Sequence, residues 1–248
     1  MKAFDSSSLW RISEFQRARS EGRLDLARGG ERLTLLPTTL LADLRRLQSE
    51  GTEGDVLEVI AACVRNHEAA LLYLEQGAFV WPVTLFPREG LYHSPRDALA
   101  VAAHTALSQL RLLLAEPPGV RAPGDAMHER IASADKYRPL TGLLWAVAMH
   151  GPRSALLAEI SGRVAYRLVS LNIKELPRSK GAINSTVLRL ERESASVAEI
   201  ARWPGMSVER ASRLLHALYL CGALMVTRSH HAARHAPASW RSWFSRRK

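Results

Sequence analysis

The residues best able to do chemistry in this chain are its cations. Ala236 to Lys248 holds Trp240, Trp243 and Phe244 among Arg241, Arg246, Arg247 and Lys248, after a break at Pro237. Two contacts suit that mixture. The aromatics can sit at a membrane interface while the cations meet anionic headgroups, or the cations can hold phosphates while the aromatics stack on bases. A tail that only solubilises, or docks back on its own domain, has the same composition. Catalytic chemistry has less support. Nucleophilic catalysis needs a Ser or Cys beside a base, and no Gly-x-Ser-x-Gly elbow is present. Nor is there a Gly-x-x-x-x-Gly-Lys-Ser/Thr loop to cradle phosphates. Asp125, His128, Glu129 and Arg130 gather titratable groups, but in a polar linker. His230, His231 and His235, with His216 nearby, lack a Cys pair or carboxylate at ligand spacing and read as a solvated run. The expectation is no catalytic residue, no metal and no cofactor.

Charge locates the anion-binding half. Residues 1–125 hold 14 Lys+Arg against 16 Asp+Glu, a net of −2; residues 126–248 hold 20 against 8, a net of +12. A local excess can act as an electrostatic surface and points to nucleic acid or an anionic membrane. With 47% hydrophobic and 23% charged residues in 248, the chain can bury a core and make one large domain or two ordinary ones. Cys63 and Cys221, both in apolar stretches, cannot make a disulfide framework and read as buried thiols of a reducing compartment. The polar start Met1 to Ser8 does not resemble a signal peptide, and no apolar run reaches the ~18 residues of a spanning helix. A cytoplasmic location is expected.

The elements that must position these groups follow from periodicity and punctuation. Leu9–Arg19 reads as a short helix, and 22–27 with 31–36 as a hairpin turning at Gly29-Gly30. Thr38 or Thr39 caps a helix to about Leu47. Asp55 starts another, with Val56, Val59, Ile60 and Cys63 on one face. Ala70–Leu74 and Ala78–Phe86 read as strands, Pro82 marking an edge or a bulge. The Trp81 and Phe86 stretch reads as core; an exposed edge there could instead add to a partner's sheet. Arg96–Ala115 reads as a long helix stopped by Pro117-Pro118. Glu116–Asp125, rich in Pro and Gly, is the expected linker, with a boundary at about residue 125.

Beyond it, Leu140–His150 and Pro152–Ile160 read as helices, and 164–171 as strand or helix. Residues 183–228 form one module. Ile183–Arg192 is a helix; Ser196 caps Val197–Trp203, with Glu199 at the spacing of a capping box. Pro204-Gly205-Met206 turns, Ser207 caps Val208–Leu220, and Ala223–Thr227 is a strand. In the third helix Val208, Ala211, Leu214, Leu215 and Leu218 face inward, leaving Glu209, Arg210, Ser212, Arg213 and His216 outside. Ala201 is placed for close approach of the helices.

Val197-Ala198-Glu199-Ile200-Ala201, the turn Gly205-Met206-Ser207, Val208 through Leu220, and Gly222 to Val226 together resemble the winged helix-turn-helix family of bacterial regulators. The resemblance covers about 45 of the 248 residues. It implies that Val208–Leu220 is a recognition helix, that Ser207, Arg210 and Arg213 face bases or phosphates, and that Arg228 sits by the wing. Glu209 departs from the pattern, placing a negative charge near phosphates, and Arg228 to His235 makes a poor second wing strand.

The expected fold is therefore α+β. A small antiparallel sheet with helices, about residues 1–116, senses, dimerises or binds a partner. A linker follows at 117–125. A helical unit, 126–235, ends in a winged-helix-like module, and 236–248 is a basic aromatic tail. The expected role is a non-enzymatic bacterial regulatory or adaptor protein whose basic half binds an anionic partner, with DNA, met through the winged helix, as the leading candidate. The alternative is a protein–protein scaffold of a membrane-associated machine. A homodimer fits either.

Overall fold

A computed structural model describes residues 9–21, 36–95, 107–169 and 176–228. The predicted hairpin about Gly29-Gly30, residues 96–106 of the predicted long helix, the histidine run from 230 and the aromatic tail lie outside these. The chain divides into two compact units, Met1–Arg153 and Ser154–Lys248.

In the first unit, β1 (Trp10–Arg11) leads into α1 (Ile12–Ser20); α2 (Thr38–Ser49) and α3 (Val56–Asn66) follow. Then come β2 (Ala70–Gln76), β3 (Phe79–Phe86), β4 (Leu91–His93), β5 (Arg111–Glu116), β6 (Tyr137–Pro139) and α4 (Leu140–His150). The strands form one antiparallel sheet in the order β5-β2-β3-β4-β6, with β1 on the free side of β3. β2 and β3 are nearly continuous apolar runs because both of their faces are covered. On one face Phe15 and Ala18 of α1 pack on Leu71, Tyr73 and Val80, with the Phe15 and Tyr73 rings 5.2 Å apart. The alternate residues Leu72 and Leu74 are buried as well.

Pro82 lies neither on an edge strand nor at a bulge: β3 is central in the sheet. Pro82 pairs with Tyr73 of β2, while the other side of β3 is taken by β1 at Phe79 and Val80 and by β4 from Thr84 onward. Proline lacks the N–H a ladder requires, and it falls in the gap between those two partners. The hairpin loop is tighter than expected: Gln76 pairs with Phe79, and Gly77 turns with φ +57°.

Several expectations are corrected. Residues 111–116 are strand β5, paired with β2, and not the end of a helix. A run such as Leu112-Leu113-Leu114-Ala115 has no period that separates strand from helix, and the open edge of β2 decided it. The helix at Thr38 has Pro37 at its N-cap with no side-chain cap, so neither threonine caps it. Leu9–Arg19 splits into β1 and α1, because Trp10 and Arg11 pair with β3. Pro152–Ile160 holds only a 3₁₀ turn at Ala158–Ile160. The boundary is at 153/154, not about 125: β6 pairs with β4, and Arg153 forms ion pairs with Asp55 at 2.6 Å and Glu58 at 3.0 Å. The segment read as a linker is tied in by Arg121, whose N–H donates to Arg130 O at 2.9 Å and whose carbonyl accepts from the Tyr137 hydroxyl.

The second unit contains β7 (Ala165–Leu168), α5 (Gly181–Arg192), α6 (Val197–Ile200), α7 (Val208–Leu220) and β8 (Leu224–Thr227). The undecided stretch at 164–171 contains a strand. β7 runs antiparallel to β8, Ala165 opposite Thr227 and Leu168 opposite Leu224. A bridge joins Tyr166 to Ala195, between α5 and α6. Tyr166 anchors the core, its hydroxyl donating to Ile160 O at 2.6 Å; burial pushes its pKa up to about 12.

Candidate nucleic-acid interface

The segment from α6 through its turn to α7 is built by local capping. At α6, Ser196 Oγ accepts from Glu199 N at 3.4 Å and the Glu199 carboxylate accepts from Ser196 N at 2.7 Å, so two orphan backbone donors are satisfied reciprocally. The helix is shorter than expected: 201–203 continue as a turn, with Arg202 N bonded to Glu199 O and Trp203 N to Ile200 O. Gly205 then adopts φ +72°. A Cβ there would come within 2.7 Å of the Ala182 Cβ, so the close approach falls at Gly205 and Ala182, not at Ala201. Trp203, buried beneath the turn, carries the Arg189 guanidinium 4.3 Å from its ring centroid.

The sequence-predicted contact residues surround the start of α7. Ser207 is its N-cap, Oγ accepting from Arg210 N at 3.1 Å. The Arg210 side chain donates through Nη1 to the carbonyl of Gly205. Arg213 Nε pairs with Glu209 Oε1 at 3.1 Å; the Arg213 side chain is 17% exposed and that of Glu209 61%. Arg228 is exposed just past β8. Ser207, Arg210 and Arg213 are thus brought together; Trp240, Arg241, Trp243, Phe244, Arg246, Arg247 and Lys248 lie outside the described residues.

The face assignment of α7 needs correction. Val208, expected inside, is 63% exposed, whereas Ser212 and His216, expected outside, are buried. His216 lies against upstream chain: its Nε2 accepts the N–H of Leu157 at 3.1 Å. Ser207 to Arg210 are exposed and Arg213 and Tyr219 partly exposed, while the rest of α7 is buried.

β8 also pairs differently from a wing hairpin. Its partner β7 comes from upstream in the chain, so the strand beside β8 precedes the three helices. This brings in cations that sequence reading missed. Arg167 is exposed opposite Met225, and Arg163 is exposed just before β7. The alternation Ala165-Tyr166-Arg167-Leu168 carried a period-2 signal for Arg167. Among the described residues, Arg163, Arg167, Arg202 and Arg228 show no ion-pair partner.

The two-unit division sharpens the charge map. Residues 1–153 contain 18 Lys+Arg against 18 Asp+Glu, a net of 0; residues 154–248 contain 16 against 6, a net of +10.

An open cleft of about 490 Å³ in the first unit is lined by Asp55, Ser108, Leu110, Arg111, Pro152 and Arg153. Asp55 already caps α3, accepting from Leu57 N at 2.9 Å, and Arg153 is engaged by Asp55 and Glu58. Its charges largely neutralise one another. Among the described residues no three His, Cys, Asp or Glu gather as metal ligands, and no helix is long and apolar enough to cross a membrane. Comparison with protein-family models, curated proteins and solved structures finds no match to this chain.

Proposed function

We propose that this chain is a non-enzymatic, cytoplasmic regulatory or adaptor protein whose second unit binds duplex DNA as a winged-helix module. The observation that carries the reading is the placement of the whole net charge, +10, on residues 154–248, the unit that contains the helix-turn-helix. In this reading α5 and α6 support α7, whose exposed first turn approaches the duplex, and β7 stands where the return strand of a wing would. Phosphate neutralisation dominates such contacts, so affinity must fall with salt. The test is fluorescence anisotropy of a labelled duplex at about 50 and about 200 mM salt, a range over which six to ten phosphate contacts cost roughly 10³–10⁵ in affinity. Absence of binding at the lower salt removes the DNA reading.

A second reading is favoured by the exposed Leu188, Val208 and Met225 of the same unit, an apolar set that suits a protein partner. There the chain is a scaffold of a membrane-associated machine, and the tail meets an inner-leaflet surface. Sedimentation with anionic liposomes that survives removal of Trp240–Lys248 excludes the tail as anchor.

A further inference from the structure

We infer that the contact with DNA is directed at phosphates and independent of base sequence, and that it is centred on Arg163, Arg167 and Arg228 beside the β7–β8 sheet and not on α7. The inference rests on the duplex-DNA reading above and names how that unit reads its partner.

Base readout needs free donors and acceptors on the element that enters the groove. The open part of α7 offers few. Ser207 Oγ accepts the N-cap bond, which leaves it one hydroxyl hydrogen to donate, and Arg210 is tied back through Nη1 to the Gly205 carbonyl. Arg213 is paired with Glu209, and Val208 presents only methyl groups. An exposed ion pair is worth only about 0.2–1 kcal/mol, so Arg213 can be released. Its release leaves the Glu209 carboxylate facing phosphates, so the pair adds no net attraction. Further along the helix, Ser212 and His216 are buried and cannot reach a base edge.

The sheet is the opposite case. Because Ala165 pairs with Thr227, Arg163, just before β7, and Arg228, just after β8, lie at the same end of the two-stranded sheet. Two residues further along β7, Arg167 is exposed opposite Met225. All three are exposed and, among the described residues, have no carboxylate partner. An exposed arginine without a carboxylate partner binds a phosphate without breaking an ion pair, and a phosphate contact carries no information about sequence.

The test uses the full chain. Arg163→Ala/Arg167→Ala/Arg228→Ala and Arg210→Ala/Arg213→Ala are compared with the unsubstituted protein by duplex anisotropy across a salt series. The unsubstituted protein is also allowed to select from a pool of duplexes with a randomised core. Circular dichroism confirms that the variants fold, as expected for exposed positions. Three lost phosphate contacts lower the salt slope by about 2.7, at roughly 0.9 each, and weaken binding at least tenfold at low salt. The α7 variant is expected to change affinity less than threefold, and the selected pool to match its input. A motif enriched in the pool, or an α7 variant more damaging than the sheet variant, overturns the inference while leaving DNA binding intact. An unchanged slope in the sheet variant overturns it in the same way. Failure of the unsubstituted protein to bind any duplex overturns both readings.

Discussion

Single side chains hold the first unit together through charge pairing at half-buried positions. Asp43 lies between α2 and α3, accepting from Arg65 Nη2 and Asn66 Nδ2, each at 2.7 Å. Burial alone would raise its pKa, but these hydrogen bonds and the Arg65 charge outweigh it and hold the carboxyl below its ordinary 3.8. A depressed folded-state value means that the stabilisation is present above 3.8 and is lost as pH falls through the lower folded-state value. Urea midpoints measured across the acid range are therefore expected to fall more steeply for the natural chain than for Asp43→Asn, which has no such group to titrate. Arg153 is the second such residue. Arg153→Met leaves Asp55 and the nearly buried Glu58 facing each other, and a loss of about 3 kcal/mol is expected in urea unfolding. Adding Glu58→Gln is expected to restore part of that loss.

At the scale of elements, the helix-turn-helix depends on one turn and one buried hydrogen bond. Gly205→Ala forces a side chain into φ +72° and against Ala182, and is expected to cost about 2 kcal/mol or more. Ala182→Gly added to it relieves the contact but not the backbone strain, so only partial recovery is expected on thermal melting. His216→Leu fills the same space but strands the N–H of the fully buried Leu157, for an expected loss of about 1–3 kcal/mol. The caps of these helices were legible in the sequence: Asp55, Ser196 and Ser207 all cap where the residue pattern puts them. The burial of His216 was not, since the periodicity of α7 says which residues are apolar but not that Leu157 lies against its polar face.

For the whole molecule, the proposed DNA binding rests on an uneven distribution of charge. The first unit carries no net charge and the second carries +10, so on that proposal the second unit would supply the long-range attraction. Removing residues 236–248 takes away Arg241, Arg246, Arg247 and Lys248. If all four lie on phosphates, the salt slope of duplex binding falls by about 3.6, at roughly 0.9 per contact. A slope that does not change assigns the whole contact to residues 154–235.

The sequence by itself determined what is settled within a few residues or by composition. Caps, the glycine and proline breaks, the helices at 56–66, 140–150 and 208–220, and the basic character of the C-terminal half all belong here. A cap is satisfied within one turn and a net charge is a sum, so neither depends on where the rest of the chain goes. Tertiary structure decided what depends on distant partners. Residues 111–116 became a strand because β2 had an open edge. The segment at 165–168 became a strand because β8 offered another. The boundary moved to 153/154 because β6 and Arg153 found partners more than forty residues upstream. The same long-range pairing left Arg167 exposed on β7 and Arg163 just before it, whereas Arg210 and Arg213 are engaged within five residues, by the Gly205 carbonyl and by Glu209.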